Sequence, residues 1–99
     1  AGSTQGYTDA TGTAAQFNGP EGLTTDGTNV YVTDKGNNRV RKIVVSTGVV
    51  TTIAGTGGSG YTNSGTNLNA IFNSPRGVVS DGSALYICDK NNGTIRKIQ

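Results

Sequence analysis

Residues 17–43 read FNGPEGLTTDGTNVYVTDKGNNRVRKI, and residues 72–98 read FNSPRGVVSDGSALYICDKNNGTIRKI. The two segments align without a gap at an offset of 55, and 13 of the 27 aligned positions are identical. A repeat of this length is one supersecondary unit, which buries its faces only by stacking on further copies. The duplication therefore predicts a repeat architecture, and two copies are too few to close a ring.

The composition agrees with a repeat unit better than with an independent globular domain. The chain has 99 residues, of which 32% are hydrophobic and 14% charged, with 16 Gly and neither His, Trp nor Met. So few hydrophobic residues supply only a small hydrophobic core within a single chain of this size. The abundant Thr, Ser, Asn and Gly favour a turn-rich β protein over a disordered one. A net charge of +2 gives little attraction to nucleic acid or membranes, and no apolar stretch is long enough to cross a bilayer. Since the chain lacks Met, we interpret it as a processed or excised piece.

Each repeat is predicted to consist of short antiparallel strands separated by turn residues. β-Branched and aromatic residues alternate with Gly, Asp and Asn, as in the hairpin signal Asp26-Gly27. The predicted strands are 22–25, 30–33, 39–45 and 49–53 in the first repeat, and 77–80, 85–88 and 94–98 in the second. Four such strands recurring every 54 residues or so indicate the blades of a β-propeller.

The sequence of the repeat resembles that of the NHL-repeat β-propeller family. The shared pattern is Phe-Asn-x-Pro-x-Gly, Asp-Gly, Tyr-Val-x-Asp and Asn-Asn-Arg-Val-Arg-Lys-Ile, and the resemblance covers essentially the whole chain. The second repeat departs from it at Asn92-Gly93-Thr94. The predicted fold is all-β, with a connecting loop and first blade in residues 1–53 and a connecting loop and second blade in residues 54–99. The second blade lacks the equivalent of the outermost strand, which is either supplied by another chain or simply missing.

The resemblance implies a closed ring, usually of six blades. Three copies of the chain would supply six blades through a head-to-tail interface of cyclic symmetry. We therefore expect a homotrimer, favoured over a tetramer of eight blades or a dimer of four. The alternative is a fragment that requires missing neighbours and aggregates through its unpaired strand edges.

Several residues recur at equivalent positions and are candidates for structural or ligand-binding roles. Glu21 and Arg76 would alternate around the channel mouth, either as interblade ion pairs or a polar ligand site, or as two solvated side chains. Asp26, Asp34, Asp81 and Asp89 are predicted to cap tight turns. The aromatic residues Tyr31, Tyr86, Phe17 and Phe72 are predicted to pack between blades. Cys88, the lone cysteine, is predicted to be a small buried residue.

No catalytic role is expected. Some relatives of this family are lyases that hold a channel metal through His, which this chain does not contain, so we predict no metal and no cofactor. RNA binding, known in other relatives, would use the basic residues of the third strands and is not favoured; these are Arg39, Arg41, Lys42, Arg96 and Lys97. We predict a non-catalytic, excised or engineered unit that assembles with itself. The alternative is a protein-, glycan- or RNA-binding module of a larger NHL propeller. The natural ligand is not identified, and we favour a secreted or extracellular parent protein.

Overall fold

The structure is a computed structural model that describes residues 1–2, 4–56 and 71–98. Every regular element in these residues is a β-strand or a single turn of 3-10 helix, which confirms the predicted all-β class. None of the helices in this part of the chain is long or apolar enough to cross a membrane. Most of the glycine-rich connection at residues 55–60 lies outside the described residues.

The first repeat forms a four-stranded antiparallel sheet, blade 1, in which strands adjacent in sequence are adjacent in space. Its strands are β1 (Pro20–Thr25), β2 (Asn29–Asp34), β3 (Arg39–Val44) and β4 (Val50–Ala54). β-Branched residues in β2 and β3 fit this pleated, half-buried surface. All four strands occur where the sequence predicts them, with boundaries that differ by no more than two residues.

The second repeat forms a three-stranded antiparallel sheet, blade 2, with the same order. Its strands are β5 (Pro75–Ser80), β6 (Leu85–Asp89) and β7 (Thr94–Ile98). Within the described residues β7 is the edge strand, because β6 is the only strand that pairs with it. The two repeats therefore share the topology of three strands, and blade 1 adds the fourth.

The turn between the second and third strand is a 3-10 helix in both blades. Lys35–Asn37 and Lys90–Asn92 form these helices, and the next residue has a left-handed backbone in each case. That residue is Asn38 (φ 53°) in blade 1 and Gly93 (φ 64°) in blade 2. Asn and Gly are the residues that adopt this conformation at least cost, so the substitution preserves the turn.

The N-terminal segment covers the outer edge of blade 1. Thr11 forms an antiparallel bridge with Val49, and the Val50 amide donates a hydrogen bond to the Ala10 carbonyl at 2.8 Å. The carboxylate of Asp9 accepts hydrogen bonds from the amide and hydroxyl of Thr52. This pairing satisfies backbone groups that an edge strand would otherwise expose.

The two sheets pack face to face, with their first strands closest together. β5 lies against β1 and β2. The buried cluster between the sheets joins residues of both blades: Val40 and Ala54 from blade 1, and Phe72, Val78, Leu85, Ile87 and Ile98 from blade 2. The core of the molecule is therefore the junction between its two blades.

Candidate functional site

The internal junction, where blade 1 meets blade 2, is formed by opposite faces of the two sheets. We call the face of blade 1 that carries Thr33 and Val40 its front face, and the face of blade 2 that carries Val78 and Ile98 its back face. Because side chains alternate along a strand, each blade has one face of each kind. The internal junction therefore joins a front face to a back face.

Backbone groups approach closely at this junction. The Thr33 hydroxyl donates a hydrogen bond to the Arg76 carbonyl across the junction and accepts one from the Gly22 amide at 2.8 Å. A Cβ at Gly22 would collide with the same carbonyl, so only Gly permits the inner strands to come this close. The Asn38 side chain adds a second polar link by accepting a hydrogen bond from the Ser74 amide at 2.8 Å.

The back face of blade 1 is uncovered around Leu23, although Val32 and Arg41 on the same face are buried. Leu23 is 69% exposed, whereas Val78, the equivalent residue of blade 2, is 8% exposed because blade 1 covers it. Leu23, Pro20 and Ile43 line a groove of about 220 Å³ on this face, together with Phe17. Blade 1 thus presents an apolar surface of the kind that is buried in blade 2.

The front face of blade 2 is uncovered as well. Ile95 is 70% exposed, whereas its equivalent, Val40, is completely buried; Val79, on the same face, is 61% exposed. The prediction that Cys88 is buried is wrong: it is exposed, although its equivalent, Thr33, is fully buried. The residue type does not cause this difference, since Thr33 has a blade in front of it and Cys88 has none in the described residues.

Two of the predicted turn caps are instead buried partners of arginine. The Asp34 carboxylate is fully buried, makes no capping hydrogen bond at the following helix, and accepts hydrogen bonds from Arg41 at 2.8 Å and the Asn18 amide at 2.7 Å. Asp89 repeats this arrangement with Arg96 at 2.9 Å and the Asn73 amide at 2.8 Å. Burial removes water from both carboxylates, and a charged partner with further hydrogen bonds takes the place of that water.

Two of the basic residues considered for RNA binding are buried and therefore not available to contact RNA. Arg41 is 0% and Arg96 6% exposed. Arg41 also binds Asp9, the carbonyls of Gln16 and Thr8, and stacks 4.9 Å from the centre of the Phe17 ring. The signal that could have revealed these pairs is the equal spacing of seven residues from Asp to Arg in both repeats.

Asp26 and Asp81 lie in the first hairpin of each blade and accept backbone hydrogen bonds. The Oδ1 of Asp26 accepts from the amides of Thr28 and Asn29, and these two bonds lower its pKa from 3.8 to about 2, with a smaller contribution from the Tyr31 hydroxyl. The pKa of Asp81 is lowered in the same way, chiefly by the amides of Ser83 and Ala84. Both side chains therefore stabilise their turns as carboxylates.

The paired tyrosines differ in their surroundings. Tyr31 packs against the core cluster and donates a hydrogen bond to Asp26 at 2.9 Å; burial first, and then this bond, raise its pKa. Tyr86 donates to Asp81 at 3.1 Å, which raises the pKa of Tyr86, and it lies on the front face of blade 2. Only Tyr31 therefore packs between the two described blades.

The paired phenylalanines show the same contrast. Phe72 is completely buried in the core cluster and stacks under Arg96 at 4.9 Å, whereas Phe17 is half-buried beside the open groove. Gly2 lies beside the Phe17 ring in the way that Gly55 lies beside Phe72. The surroundings of Phe17 thus repeat one side of the internal junction.

Glu21 and Arg76 are brought together at one end of the junction. Arg76 Nη1 lies 4.0 Å from Glu21 Oε2, and Lys35 Nζ lies 3.6 Å from Glu21 Oε1. All three side chains are more than one-third exposed, so each pair contributes roughly 0–1 kcal/mol to folding. In the part of the chain that the structure describes, no group of three or more His, Cys, Asp or Glu side chains could hold a metal.

A family model described as the NHL repeat matches residues 17–43. The chain therefore contains an NHL repeat. It is 33% identical over 95 residues to human NHL repeat-containing protein 2, a match that covers 92% of this chain and 13% of the relative. The NHL chain thus spans about an eighth of the length of that curated relative.

Solved structures resemble the NHL chain over almost its full length. An auxiliary nutrient binding protein from Bacteroides thetaiotaomicron superposes with a TM-score of 0.83 at 29% identity, covering 97% of this chain and 26% of that one. A structure from the same organism described as a candidate phosphatase superposes with a TM-score of 0.81 at 28% identity, covering 97% and 24%. The two blades therefore correspond to about a quarter of each of these larger proteins.

Proposed function

We propose that this chain is a non-catalytic, two-blade NHL unit that assembles head to tail with copies of itself into a closed β-propeller. One observation carries the proposal: the two uncovered faces are the two halves of the internal junction. The front face of blade 2 repeats the buried front face of blade 1, and the back face of blade 1 repeats the buried back face of blade 2. A second copy can therefore dock as blade 2 docks on blade 1.

The apolar residues on these faces supply the driving force. Leu23, Val79 and Ile95 are each more than 60% exposed, and complete burial of such a side chain contributes roughly 1.5–3 kcal/mol. An exposed apolar sheet face is a candidate interaction surface. We call the contact that would bury it the copy junction.

Cyclic closure sets the number of copies. A front-to-back contact is heterologous, so it continues until the ring closes. Six blades are usual for the family that the sequence resembles, and three copies supply them. We therefore propose a homotrimer, in preference to a tetramer.

Two features support the absence of catalysis. The chain contains no His, and the four aspartates of blade 1 and blade 2 are engaged in turns and buried ion pairs rather than in an open cleft. We expect no hydrolysis of p-nitrophenyl phosphate, an assay chosen because one structural relative is described as a candidate phosphatase.

The mass in solution tests the assembly. Light scattering on the purified chain should give about 30 kDa, three times the chain mass of 10.1 kDa. Ile95→Lys should reduce this to a single chain, because it places a charge in the copy junction and leaves the internal junction untouched. Val45→Lys is the matched control: Val45 is 62% exposed but lies in the turn after β3, so the variant should keep the trimer mass.

The outcomes separate the alternatives. A single-chain mass or a polydisperse aggregate for the native chain refutes self-assembly, and a mass near 40 kDa, four times 10.1 kDa, replaces six blades by eight. A trimer that survives Ile95→Lys would show that the copies meet through some other surface.

A ligand-binding module of a larger NHL protein is the second candidate. The similarity to an auxiliary nutrient binding protein favours it, as does the small share of that protein that the two blades cover. In that case neighbouring blades of the longer protein would cover Leu23 and Ile95. A single-chain mass for these 99 residues would then be expected.

A further inference from the structure

One end of the two blades carries an excess of positive charge. Glu21 and Arg76 are the second residues of β1 and β5, and Lys35 and Lys90 begin the 3-10 helices beside them. In blade 1 the lysine lies 3.6 Å from a carboxylate, that of Glu21. In blade 2 the residue equivalent to Glu21 is Arg76, so a cation takes the position that the carboxylate holds in blade 1.

These four residues account for the net charge of the chain. Three cations and one carboxylate leave two positive charges, which equals the net charge of +2; the other five cations and five carboxylates balance. Much of that balance is achieved by direct pairing, as in Arg41 with Asp34 and Arg96 with Asp89. This end of the molecule therefore carries a net formal charge of +2.

The Arg76 guanidinium has a hydrogen-bond donor that is unpaired within the described residues. Its Nε is buried and has no hydrogen-bond partner among the described residues. Its nearest carboxylate oxygen, on Glu21, is 4.0 Å away, whereas a charge-assisted hydrogen bond measures about 2.7–2.9 Å. Arginine is well suited to bind phosphate or carboxylate groups through its planar donors.

We infer that this end binds a small multivalent oxyanion, with Arg76 and Lys90 as the binding residues and Glu21 as the opposing charge. The site rests on the proposed function, because ring closure is what brings several copies of it together. β1 and β5 are the strands at which the blades lie closest, so in a closed ring they would be innermost, and Glu21 and Arg76 at their starts would lie at one mouth of the channel. A trimer would gather six uncompensated positive charges around that channel mouth, and closely spaced charges of one sign attract multivalent anions most strongly.

Titration calorimetry at low salt tests the site, with tripolyphosphate as the probe and acetate as the monovalent comparison. The native chain should bind tripolyphosphate and not acetate, and added NaCl should weaken binding. Arg76→Gln should weaken it about tenfold or more, since a hydrogen bond to a charged group is worth at least one such factor. Glu21→Gln should tighten tripolyphosphate binding, because it removes the opposing negative charge. Lys97→Gln is the control: it removes one positive charge at the opposite end, beside Asp81, and should change the affinity by no more than about twofold. A second titration with citrate compares carboxylate with phosphate, and the tighter ligand identifies the group recognised.

The mass of every variant is measured alongside, so that the two proposals fail separately. A three-chain mass without tripolyphosphate binding, or an equal loss in Arg76→Gln and Lys97→Gln, overturns the oxyanion site and leaves the assembly intact. A single-chain mass overturns the assembly, and with it a site at a ring mouth.

Discussion

The 3-10 helix between the second and third strands is followed by Asn38 in blade 1 and by Gly93 in blade 2. This difference gives a direct test of the proposed ring assembly. At the internal junction the Asn38 side chain accepts a hydrogen bond from the Ser74 amide at 2.8 Å. At the proposed copy junction the equivalent donor is the amide of Gly19, and the equivalent residue, Gly93, has no side chain. We expect Gly93→Asn to add one hydrogen bond to every copy junction.

The backbone already accommodates this change. Gly93 has φ 64°, close to the 53° of Asn38, and Gly19 has φ 63°, close to the 55° of Ser74. A neutral hydrogen bond contributes about 0.5–1.5 kcal/mol, so three junctions gain roughly 1.5–4.5 kcal/mol per trimer. Because trimer dissociation depends on the square of the chain concentration, the half-dissociation concentration should fall about 4- to 40-fold.

Light scattering over a dilution series measures this concentration. The reciprocal variant Asn38→Gly is the control: it removes the hydrogen bond at the internal junction and should lower the free energy of unfolding by about 1 kcal/mol in urea denaturation. If Gly93→Asn leaves the dissociation concentration unchanged while Asn38→Gly destabilises the fold, the copy junction does not repeat the internal one.

Three further predictions concern charge, burial and exposure. The pKa of Asp26 is lowered from 3.8 to about 2, so this carboxylate stabilises the fold fully above pH 3.8 and loses the effect as the pH falls toward 2. Between pH 5 and pH 2, the urea midpoint should therefore fall less for Asp26→Asn than for the native chain. Equal falls in the two proteins would contradict this prediction. Asp89→Asn should destabilise the fold by about 3–5 kcal/mol in urea denaturation, because it leaves the buried Arg96 without that carboxylate. Asp34→Asn should lower the free energy of unfolding by less than Asp89→Asn does, because Arg41 still has the Asp9 carboxylate at 2.8 Å. A larger loss in Asp34→Asn than in Asp89→Asn would refute this explanation. Cys88 should react with a maleimide quickly in dilute, dissociated protein and slowly in the trimer, as the burial of Thr33 implies; equal rates would place Cys88 outside the copy junction.

Much of the fold could be predicted because its causes are local. Val30, Tyr31 and Val32 favour a strand wherever they stand, and Asp26-Gly27 favours a hairpin, so strand positions followed from short windows. The pairing of Asp34 with Arg41 could not be predicted in this way, because Asp34 also follows a strand and precedes a turn. Its environment is created by the N-terminal segment and β3, which sequence neighbours do not reveal.

By itself the sequence determined the repeat, its strands and their order, because short turns favour the pairing of strands that are adjacent in sequence. The tertiary structure decided which equivalent residues are buried. Thr33 and Cys88 hold the same position in the repeat, as do Val40 and Ile95, yet the first of each pair is buried and the second exposed. The physical reason is that burial depends on which surface stands opposite a face, and that is a property of the packed blades rather than of the residue.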